Sequence, residues 1–357
     1  MSADLPATPA TMQAVPLRRF GPPEVLALED MPTPEPGPGE VLIRVEAVSV
    51  GRLLDIVARS GQHPYATFTF PHLLGAEHAG RVAAVGPGVS GSQIGDRVAV
   101  FPVVLAGEDD MTRAGYPELS PNVRIIGTHR PGAYAQYSVV PATNLLPLPD
   151  GMPAVEAVGV VLAAAVAMNQ FDRAGGVGPG SRVVVQGATS ALGSTTALLA
   201  RHLGAEVLVT SRSADKRAQL GDLGFARVAD ATAPTFTADV LEAFGGAPAT
   251  LIVDNLGDGQ IWQSSQAALG AGGVIVTSGA FLDRLVPLDL RRLYSLGQRV
   301  IGVRSGNLGS ARKAWREVAG GFRGIVDRTF DLADAAQAHR YVEAGGNVGR
   351  VALTVPH

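Results

Sequence analysis

The segment RVVVQGATSALGSTTALLARHLGAEVLVTSRSADKR (residues 182–217) contains the clearest structural pattern in the chain. It begins with an apolar strand over Arg182–Gln186, continues through a turn into a helix over Ser194–Leu203, and returns as a strand over Glu206–Thr210. The first backbone N–H groups of a helix have no intrahelical partner, so a helix that starts after such a turn can bind a pyrophosphate. The segment therefore predicts the first strand–helix–strand unit of a nucleotide-binding domain.

The turn between this strand and helix departs from the usual G-x-G-x-x-G spacing. Its three glycine slots fall on Ala188, Ser190 and Gly193, and Gly187 stands just before them. Glycine matters here because a side chain would block the approach of a phosphate to the backbone N–H groups. Since one slot alone keeps its glycine, the motif by itself is weak evidence. The predicted cofactor contacts in this turn are Gly187, Ala188, Thr189, Ser190, Ala191, Leu192 and Gly193.

The end of the second strand carries the signal for cofactor choice. An NAD site would place Asp or Glu there to bind the ribose 2′-hydroxyl. This chain instead has Ser211 and Arg212, with Lys216 close behind and no carboxylate before residue 215. A guanidinium is a planar donor that suits a 2′-phosphate. These residues favour NADPH as the cofactor, and the alternative is an ordinary solvated basic turn.

The alternation of strands and helices continues along the chain. A helix is predicted over Ala214–Leu223, and apolar strands over Leu251–Val253 and Val274–Thr277. This rhythm indicates an α/β fold with a doubly wound parallel sheet, and ligands of such sheets bind beyond the carboxyl ends of the strands. The residues that follow these two strands are predicted to contact the nicotinamide, with plain turn residues as the alternative: Asn255, Leu256, Ser278, Gly279 and Ala280.

The chain outside this domain has a different character. From residue 12, short alternating strands are broken by glycine and proline, which predicts a β-rich region. The run at 154–176 has small and aliphatic residues on every face and predicts one buried helix. Residues 105–127 form a polar stretch without an obvious helix or strand pattern, and a loop of this length usually has a function. The closing strand RVALTV is expected to rejoin the first domain.

Composition and charge exclude several classes of protein. With 357 residues, 46% of them hydrophobic and 17% charged, the chain is long enough for two packed domains. The net charge of -3 offers no basic surface for nucleic acid, and no apolar run is long enough to span a membrane. The absence of cysteine excludes disulfides, thiolate zinc sites and a cysteine nucleophile. Because the first residues lack the pattern of a signal peptide, we expect a soluble cytoplasmic protein that acts on a small molecule.

Taken together, these segments resemble the medium-chain dehydrogenase/reductase superfamily from about Met12 to Val355. The start MQAVPLRRFGPPEVLALEDMPTPEPGPGEVLIRV is similar to the opening of that family, and GAYAQYSVVPATNLLPLPDG is similar to its lead into the cofactor domain. The resemblance implies a GroES-like catalytic domain, a Rossmann domain that binds NADPH, and a cleft between them for nicotinamide and substrate. It also implies a homodimer and cofactor contacts from Arg304 and Ser305.

The domain boundaries that follow from this resemblance are set at the changes of sequence character. We predict a disordered tail at 1–11, the GroES-like domain over 12–153 and 304–357, and the Rossmann domain over 154–303.

Zinc-dependent members of the family carry two zinc sites, and the resemblance gives each ligand a counterpart here. The polar stretch resembles the lobe that binds a structural zinc, and its four cysteine slots hold Ala106, Asp109, Thr112 and Ser120. The ligand slots of the catalytic zinc hold Arg52, Ala76 and a position near Leu162. These side chains do not form a zinc site, and the remaining Glu77 cannot hold the ion alone. The resemblance therefore implies a protein without a metal site.

Zinc-free members that resemble this chain are quinone oxidoreductases and enoyl or enone reductases. The resemblance places Tyr65 where some enoyl reductases have a proton donor, with His63 as a rival and a core aromatic as the alternative. Arg52 either supplies a positive charge near the former metal position or pairs with Glu77 or Asp55, and the pairing is favoured. The predicted activity is zinc-independent reduction of an activated C=C bond or a quinone by NADPH. The alternatives are a carbonyl or imine reductase of a biosynthetic pathway, and a non-catalytic NADPH-binding sensor or structural protein.

Overall fold

The computed structural model of the protein describes residues 7–64, 66–283 and 285–357. Tyr65, one of the predicted catalytic residues, lies outside the described residues. No helix in the described part of the chain is long and apolar enough to cross a bilayer. The chain divides into two units, the first made of Met1–Leu162, Trp315–Gly321 and Ile325–His357, and the second of Ala163–Ala314 and Phe322–Gly324.

Strands dominate the first unit and alternate with helices in the second. The strands of the described residues are β1 (Thr11–Ala14), β2 (Pro16–Leu17), β3 (Glu29–Pro32), β4 (Glu40–Val50), β5 (His72–Leu73), β6 (His78–Val85), β7 (Arg97–Val100), β8 (Val103–Leu105), β9 (Val123–Ile125), β10 (Tyr137–Pro141), β11 (Leu145–Pro147), β12 (Arg182–Val185), β13 (Glu206–Thr210), β14 (Val228–Ala229), β15 (Ala249–Val253), β16 (Leu269–Thr277), β17 (Arg299–Gly302), β18 (Val326–Asp331) and β19 (Arg350–Thr354).

The helices range from single turns to fourteen residues. The α-helices of the described residues are α1 (Asp110–Arg113), α2 (Ala154–Val158), α3 (Val161–Ala174), α4 (Ala191–His202), α5 (Ala214–Asp222), α6 (Phe236–Ala243), α7 (Gly259–Ala268), α8 (Leu290–Ser295), α9 (Leu308–Ala319) and α10 (Ala335–Glu343). Short 3₁₀ turns occur at Pro23–Val25, Pro117–Leu119, Ala142–Asn144 and Leu332–Asp334, and a π-helical segment at Arg52–Val57.

The first unit is built on a seven-stranded sheet with β4 near its centre. Six strands follow the order β11-β7-β6-β4-β19-β18, and β10 also pairs with β4. β4 runs antiparallel to β6, β10 and β19, and its side chains Val41, Ile43 and Val45 are fully buried. The sheet confirms the predicted β-rich domain, and the pairing of β19 with β4 confirms that the closing strand returns to it.

The second unit is built on a six-stranded sheet in the order β14-β13-β12-β15-β16-β17. All five strand pairs are parallel, and one hydrophobic cluster contains Val184, Leu208, Ile252 and Ile275 from four of the strands. Counted within the unit, the strand order is 3-2-1-4-5-6, which is the doubly wound Rossmann arrangement. The predicted α/β fold is confirmed, and the chain reverses its winding between β12 and β15, where such folds bind ligands.

The run at 154–176 forms two helices rather than the single helix that its sequence predicted. α2 ends at Val158 and α3 begins at Val161. Gly159 lies between them, and a Cβ atom added there would come within 3.0 Å of Val326 Cγ2. The prediction was wrong because small residues on every face gave no signal of a break, and the glycine allows the close contact with β18 that bends the chain.

The polar stretch at 105–127 is more regular than its composition indicated. It contains α1, the 3₁₀ turn at Pro117–Leu119 and the strand β9, which pairs with β8. α1 begins with a capping box, in which Asp109 Oδ1 accepts hydrogen bonds from the N–H groups of Met111 and Thr112. The expectation of an irregular loop was wrong, because one capping residue nucleates a helical turn without any hydrophobic pattern.

Candidate active site

The turn between β12 and α4 keeps glycine at the two positions where the backbone requires it. Gly187 has φ +63°, and a Cβ atom there would lie 2.8 Å from Leu256 Cδ2. A Cβ atom on Gly193 would lie 2.4 Å from the carbonyl oxygen of Gly187. Ser190, at a slot that is usually glycine, caps α4 by accepting a hydrogen bond from Gly193 N at 3.0 Å. The altered motif therefore still forms a tight turn into a capped helix.

A side-chain network that the sequence did not reveal holds this turn to the sheet. Thr210 Oγ1, at the end of β13, donates to Gln186 Oε1 at 2.6 Å and accepts from Gly187 N at 3.3 Å. Gln186 Nε2 in turn donates to Ser265 Oγ at 2.9 Å. These three side chains are almost fully buried. The network fixes the start of the turn against β13 and α7.

A pocket of about 270 Å³ opens beside this turn, at the carboxyl ends of β12, β13 and β15. It brings together six of the residues that the sequence predicted as cofactor contacts, and four that it missed. The predicted residues are Gly187, Thr189, Ser211, Arg212, Lys216 and Leu256, and the others are Thr210, Ser213, Ala231 and Ile261. A pocket next to the topological switch point agrees with the general rule for ligand sites of open parallel sheets.

Two arginines near this pocket differ in their surroundings. Arg212 is 56% exposed, and its guanidinium lies 3.7 Å from Asp258 Oδ2. Arg217 is directed at the protein, where it donates to the carbonyl oxygens of Ser211 and Arg212 and pairs with Asp230 at 2.9 Å. Arg217 therefore shapes the turn after β13, whereas Arg212 remains available to a ligand in the pocket.

The predicted nicotinamide-side residues lie together at the ends of β15 and β16. Asn255 Oδ1 accepts a hydrogen bond from Ser278 N at 2.8 Å, and the carbonyl oxygen of Leu256 accepts from Phe281 N at 2.9 Å. A Cβ atom on Gly279 would lie 2.9 Å from the carbonyl oxygen of Asn255. The loops that follow the two strands are therefore in close backbone contact, and glycine is required at the point where they meet.

The remaining predicted cofactor residues occupy other places in the second unit. Ala188, Ser190, Ala191, Leu192 and Gly193 form the turn and the first turn of α4, but they do not line the 270 Å³ pocket. Arg304 and Ser305 follow β17, and the carbonyl oxygen of Ser305 accepts a hydrogen bond from Asn169 Nδ2 at 2.7 Å. A direct role in cofactor binding stays a prediction for these seven residues, as it does for the predicted residues at the pocket and at the ends of β15 and β16.

Of the predicted catalytic residues His63 and Tyr65, the structure describes His63. Its side chain is half-buried and meets Phe68 edge to face, with 6.0 Å between the ring centroids. Burial lowers the pKa of His63, and the nearby His129 lowers it further. A neutral imidazole at this place can donate or accept a hydrogen bond, but its low pKa makes it a poor reservoir of protons at neutral pH.

Arg52 does not form the ion pair that the sequence favoured. Its guanidinium donates to the carbonyl oxygen of Val342 at 2.7 Å, in the last turn of α10. Glu77 is instead bound by Arg350 at 2.9 Å and by the hydroxyl of Ser49 at 2.5 Å. The pairing of Arg52 with Glu77 or Asp55 is therefore wrong, because Glu77 is engaged by other side chains and the negative end of the α10 dipole attracts the cation.

Asp55 is a buried carboxyl group in the same part of the first unit. Its two oxygens accept hydrogen bonds from Gly51 N at 2.7 Å and Gly75 N at 2.8 Å. Burial raises the pKa of Asp55 to about 7, although both backbone bonds oppose the shift, and the charge of Glu77 raises it further. The carboxyl group therefore organises the backbone next to Ala76, which follows Gly75 and holds one of the ligand slots that the resemblance assigns to a catalytic zinc.

The residues at the positions that the resemblance equates with zinc ligands do not fit a zinc ion. Asp109 Oδ2 accepts a hydrogen bond from Ser120 Oγ at 2.5 Å, and Thr112 Oγ1 accepts one from Asp109 N at 2.8 Å. Three of the four structural ligand slots thus satisfy one another, and none of them offers sulfur or imidazole. Within residues 7–64, 66–283 and 285–357, no group of three His, Cys, Asp or Glu side chains is placed to share a metal ion.

Comparison with known families assigns both parts of the chain. Residues 37–150 match a family described as the alcohol dehydrogenase GroES-like domain, and residues 191–352 match a family described as zinc-binding dehydrogenase. L-galactonate-5-dehydrogenase of Escherichia coli (strain K12) is 28% identical over 263 residues, which are 74% of this chain and 75% of that protein.

Solved structures resemble the chain over nearly its whole length. An NAD-dependent alcohol dehydrogenase is 33% identical, with a TM-score of 0.88, over 97% of this chain and 100% of the other. The 2-octenoyl-CoA carboxylase reductase CinF, solved with NADP and 2-octenoyl-CoA, is 25% identical, with a TM-score of 0.87, over 98% of this chain and 88% of the other. The chain therefore belongs to the medium-chain dehydrogenase/reductase superfamily and is an NAD(P)-dependent oxidoreductase.

Proposed function

We propose that this protein is a zinc-independent reductase that uses NADPH to reduce an activated C=C bond, as in an enone or enoyl thioester, or a quinone. One observation supports the proposal: the positions that correspond by resemblance to the ligands of the catalytic zinc hold side chains that cannot bind zinc. Arg52 and Ala76 stand at two ligand slots, and Arg52 binds the end of α10. Glu77 is engaged by Arg350 and Ser49.

The lack of zinc ligands bears on which reaction the site can support. Reduction of a simple ketone leaves a very basic oxyanion, which a Lewis acid stabilises well and hydrogen bonds stabilise less. Reduction of a conjugated C=C bond is less demanding, because the charge spreads onto an enolate. Bound NADPH would supply the hydride. The chain then needs to orient the acceptor, exclude water and stabilise one carbonyl oxygen, and His63 is the described candidate for a hydrogen bond to that oxygen.

The preference for NADPH is supported by the charges around the 270 Å³ pocket. Ser211, Arg212 and Lys216 line it, and β13 ends without the carboxylate that would bind a ribose 2′-hydroxyl. The turn and α4 would receive the pyrophosphate, because the first N–H groups of the helix point toward it. Arg212 would hold the 2′-phosphate through a charge-assisted hydrogen bond.

A second candidate function is a carbonyl reductase or alcohol dehydrogenase. The likeness to an NAD-dependent alcohol dehydrogenase and to L-galactonate-5-dehydrogenase favours it, whereas the likeness to CinF favours the C=C reductase. The altered ligand slots weigh against the second candidate, because those side chains could not support a zinc-bound alkoxide.

The test is a panel of acceptors assayed with NADPH and NADH. We expect turnover of an enone, an enoyl thioester or a quinone, with NADPH preferred, and no loss of activity after dialysis against a chelator. Metal analysis of the purified protein is the control and should give far less than one zinc per chain. Activity confined to alcohols and ketones, lost with the chelator and restored by zinc, would contradict the proposal.

We also propose that the protein is a homodimer formed through the edge of the second unit's sheet. β17 pairs with β16 on one side, and Val300 at its centre is 41% exposed. Tyr294 and Leu290 in the preceding helix are 76% and 65% exposed. A strand edge beside apolar side chains is a surface that a second copy can extend by strand pairing.

A further inference from the structure

Gln170, a residue of α3, joins the two loops that follow β15 and β16. Its Nε2 atom donates to Asn255 Oδ1 at 3.0 Å and to Ser278 Oγ at 2.8 Å, and its side chain is fully buried. The orientation of the Asn255 amide is fixed, because Ser278 N also donates to Oδ1 and only an oxygen can accept that bond. Gln170 therefore clamps two strand ends at one point.

The loops that follow β15 and β16 contact each other closely beside Gln170, so their contacts depend on the distance between them. The carbonyl oxygen of Leu256 accepts hydrogen bonds from the N–H groups of Phe281 and Leu282 at 2.9 and 3.0 Å. Gly279 passes so close to Asn255 that a Cβ atom would lie 2.9 Å from the Asn255 carbonyl oxygen. A shift of either loop would disturb these hydrogen bonds and this close contact. The clamp formed by Gln170 therefore sets the shape of the surface at the carboxyl ends of β15 and β16.

Packing alone does not explain a glutamine at this position. Gln170 Oε1 and Asn255 Nδ2 are both buried, and neither has a hydrogen-bond partner among the described residues. Buried polar atoms without partners cost free energy, and an apolar side chain of the same length would avoid that cost. Such a departure from the most stable arrangement is expected where a residue serves a site.

We propose that Gln170 is a positioning residue for the nicotinamide half of the cofactor. It sets the spacing of the loops at Asn255 and Ser278, whose backbone groups then recognise the nicotinamide amide. The inference rests on the proposed function, in which the nicotinamide lies beyond the ends of β15 and β16 and the adenosine half lies in the 270 Å³ pocket. Asn255 and Ser278 do not line that pocket, whereas Leu256, the residue after Asn255, does, so we expect the clamp to act more strongly on the nicotinamide half than on the adenosine half.

The test compares two ligands on the full-length protein. NADPH reports on both halves of the cofactor, and 2′,5′-ADP reports on the adenosine half alone. We expect Gln170→Met to weaken NADPH binding about tenfold, which corresponds to one lost directional interaction, and to leave 2′,5′-ADP binding within about twofold. Isothermal titration calorimetry measures both dissociation constants, and the ratio between them is the readout that a general structural role would not move.

Gln266→Met is the matched control in the same unit. Gln266 is also buried, and its side-chain amide exchanges two hydrogen bonds with the backbone of Asp289, away from the ends of β15 and β16. We expect this variant to change the thermal stability and to leave the ratio of the two dissociation constants unchanged. If Gln170→Met does not fold, Ser278→Ala removes the hydroxyl partner of Gln170 and should shift the ratio in the same direction.

Three outcomes would overturn the inference. Equal weakening of NADPH and 2′,5′-ADP by Gln170→Met would assign the residue to general packing, and unchanged NADPH binding would remove its role. In both cases wild-type binding of NADPH would leave the proposed function intact. A wild-type protein that binds neither ligand would overturn the proposed function and this inference together.

Discussion

Arg212 and Arg217 stand five residues apart and illustrate how neighbouring residues of one type acquire different roles. Arg217 is satisfied by two backbone carbonyl groups and by Asp230. Arg212 has one long ion pair with Asp258 and is mostly exposed. An exposed pair at this distance contributes little to stability, so Arg212 can exchange its partner for a phosphate at little cost.

Replacement of Arg212 tests the cofactor preference. We expect Arg212→Ala to weaken NADPH binding about tenfold or more, because a charge-assisted hydrogen bond contributes about 1.5–3 kcal/mol. NADH lacks the 2′-phosphate, so its binding should change far less. Arg227→Ala is the control, since Arg227 pairs with Glu206 at the surface of the same unit. Equal losses for both cofactors in a fluorescence titration would remove Arg212 from the 2′-phosphate site.

Asp55 gives a prediction for the dependence of stability on pH. Its pKa is raised to about 7 in the folded protein, whereas an unfolded Asp titrates near ~4. Between these values the unfolded chain has lost the proton and the folded chain keeps it. The contribution of this group to the free energy of unfolding therefore falls as the pH rises from ~4 to about 7, by at most about 1.4 kcal/mol per pH unit, and is constant above.

Denaturant unfolding at pH 5 and pH 8 measures this effect. The wild-type protein should lose more stability between the two pH values than Asp55→Asn, in which the group no longer titrates. At pH 8 the variant should also be less stable than the wild-type protein. Its amide nitrogen would face the N–H group of Gly51 or of Gly75 and could not accept its hydrogen bond. An identical pH dependence in both proteins would mean that Asp55 keeps an ordinary pKa.

At the scale of elements, α1 shows how hydrogen bonds hold a segment that offers no zinc ligands. The carboxylate of Asp109 accepts hydrogen bonds from two backbone N–H groups of the helix. It accepts a third from the hydroxyl of Ser120, eleven residues further along the chain. The bond from Ser120 is the main reason that the pKa of Asp109 is lowered. These hydrogen bonds join three of the four positions that correspond, by resemblance, to the cysteines of a zinc-binding lobe.

Removal of this carboxylate should loosen the segment without unfolding the protein. We expect Asp109→Ala to speed backbone hydrogen exchange at Met111 and Thr112 about tenfold or more, because both N–H groups lose their partner. Asp110→Ala is the control, since Asp110 is exposed and pairs with Arg113 on the surface of α1. Equal exchange rates in the two variants would show that Asp109 does not hold the segment.

The strands and helices of the second unit could be predicted from the local sequence pattern. The hydrogen bonds of Gln170 and Arg52 could not, because they join residues that are distant in the chain. β12 and β13 are apolar runs next to a turn with glycine, and their pattern depends only on neighbouring residues. The pocket residues at their ends follow from the rule that ligands bind there. Gln170 is 85 residues from Asn255 in the chain, so its role depends on packing between distant elements. The partner of Arg52 was missed for the same reason, since it donates to α10, 290 residues away.

At the scale of the whole molecule, we propose that the exposed edge at β17 determines how many copies assemble. β14 forms the other edge with only two residues, so the four-residue β17 is the longer edge of this sheet. Unpaired N–H and C=O groups on such an edge can pair with the same strand of a second copy around a two-fold axis. The side chains of Tyr294 and Leu290 would then be buried together with Val300.

Val300→Lys tests this arrangement, because a charge on an edge strand opposes pairing between strands. We expect the wild-type protein to sediment as a dimer at micromolar concentration in analytical ultracentrifugation, and the variant to sediment as a monomer. Leu223→Lys is the control, since Leu223 is similarly exposed, at 38%, just after α5 in the same unit, and this variant should remain a dimer. If Val300→Lys sedimented as a dimer like the wild-type protein, the β17 edge would be excluded as the interface. If the wild-type protein sedimented as a monomer, the homodimer itself would be excluded. The ends of β15 and β16 lie on the sheet that β17 extends. A titration of the monomeric variant with NADPH therefore shows whether cofactor binding depends on dimer formation.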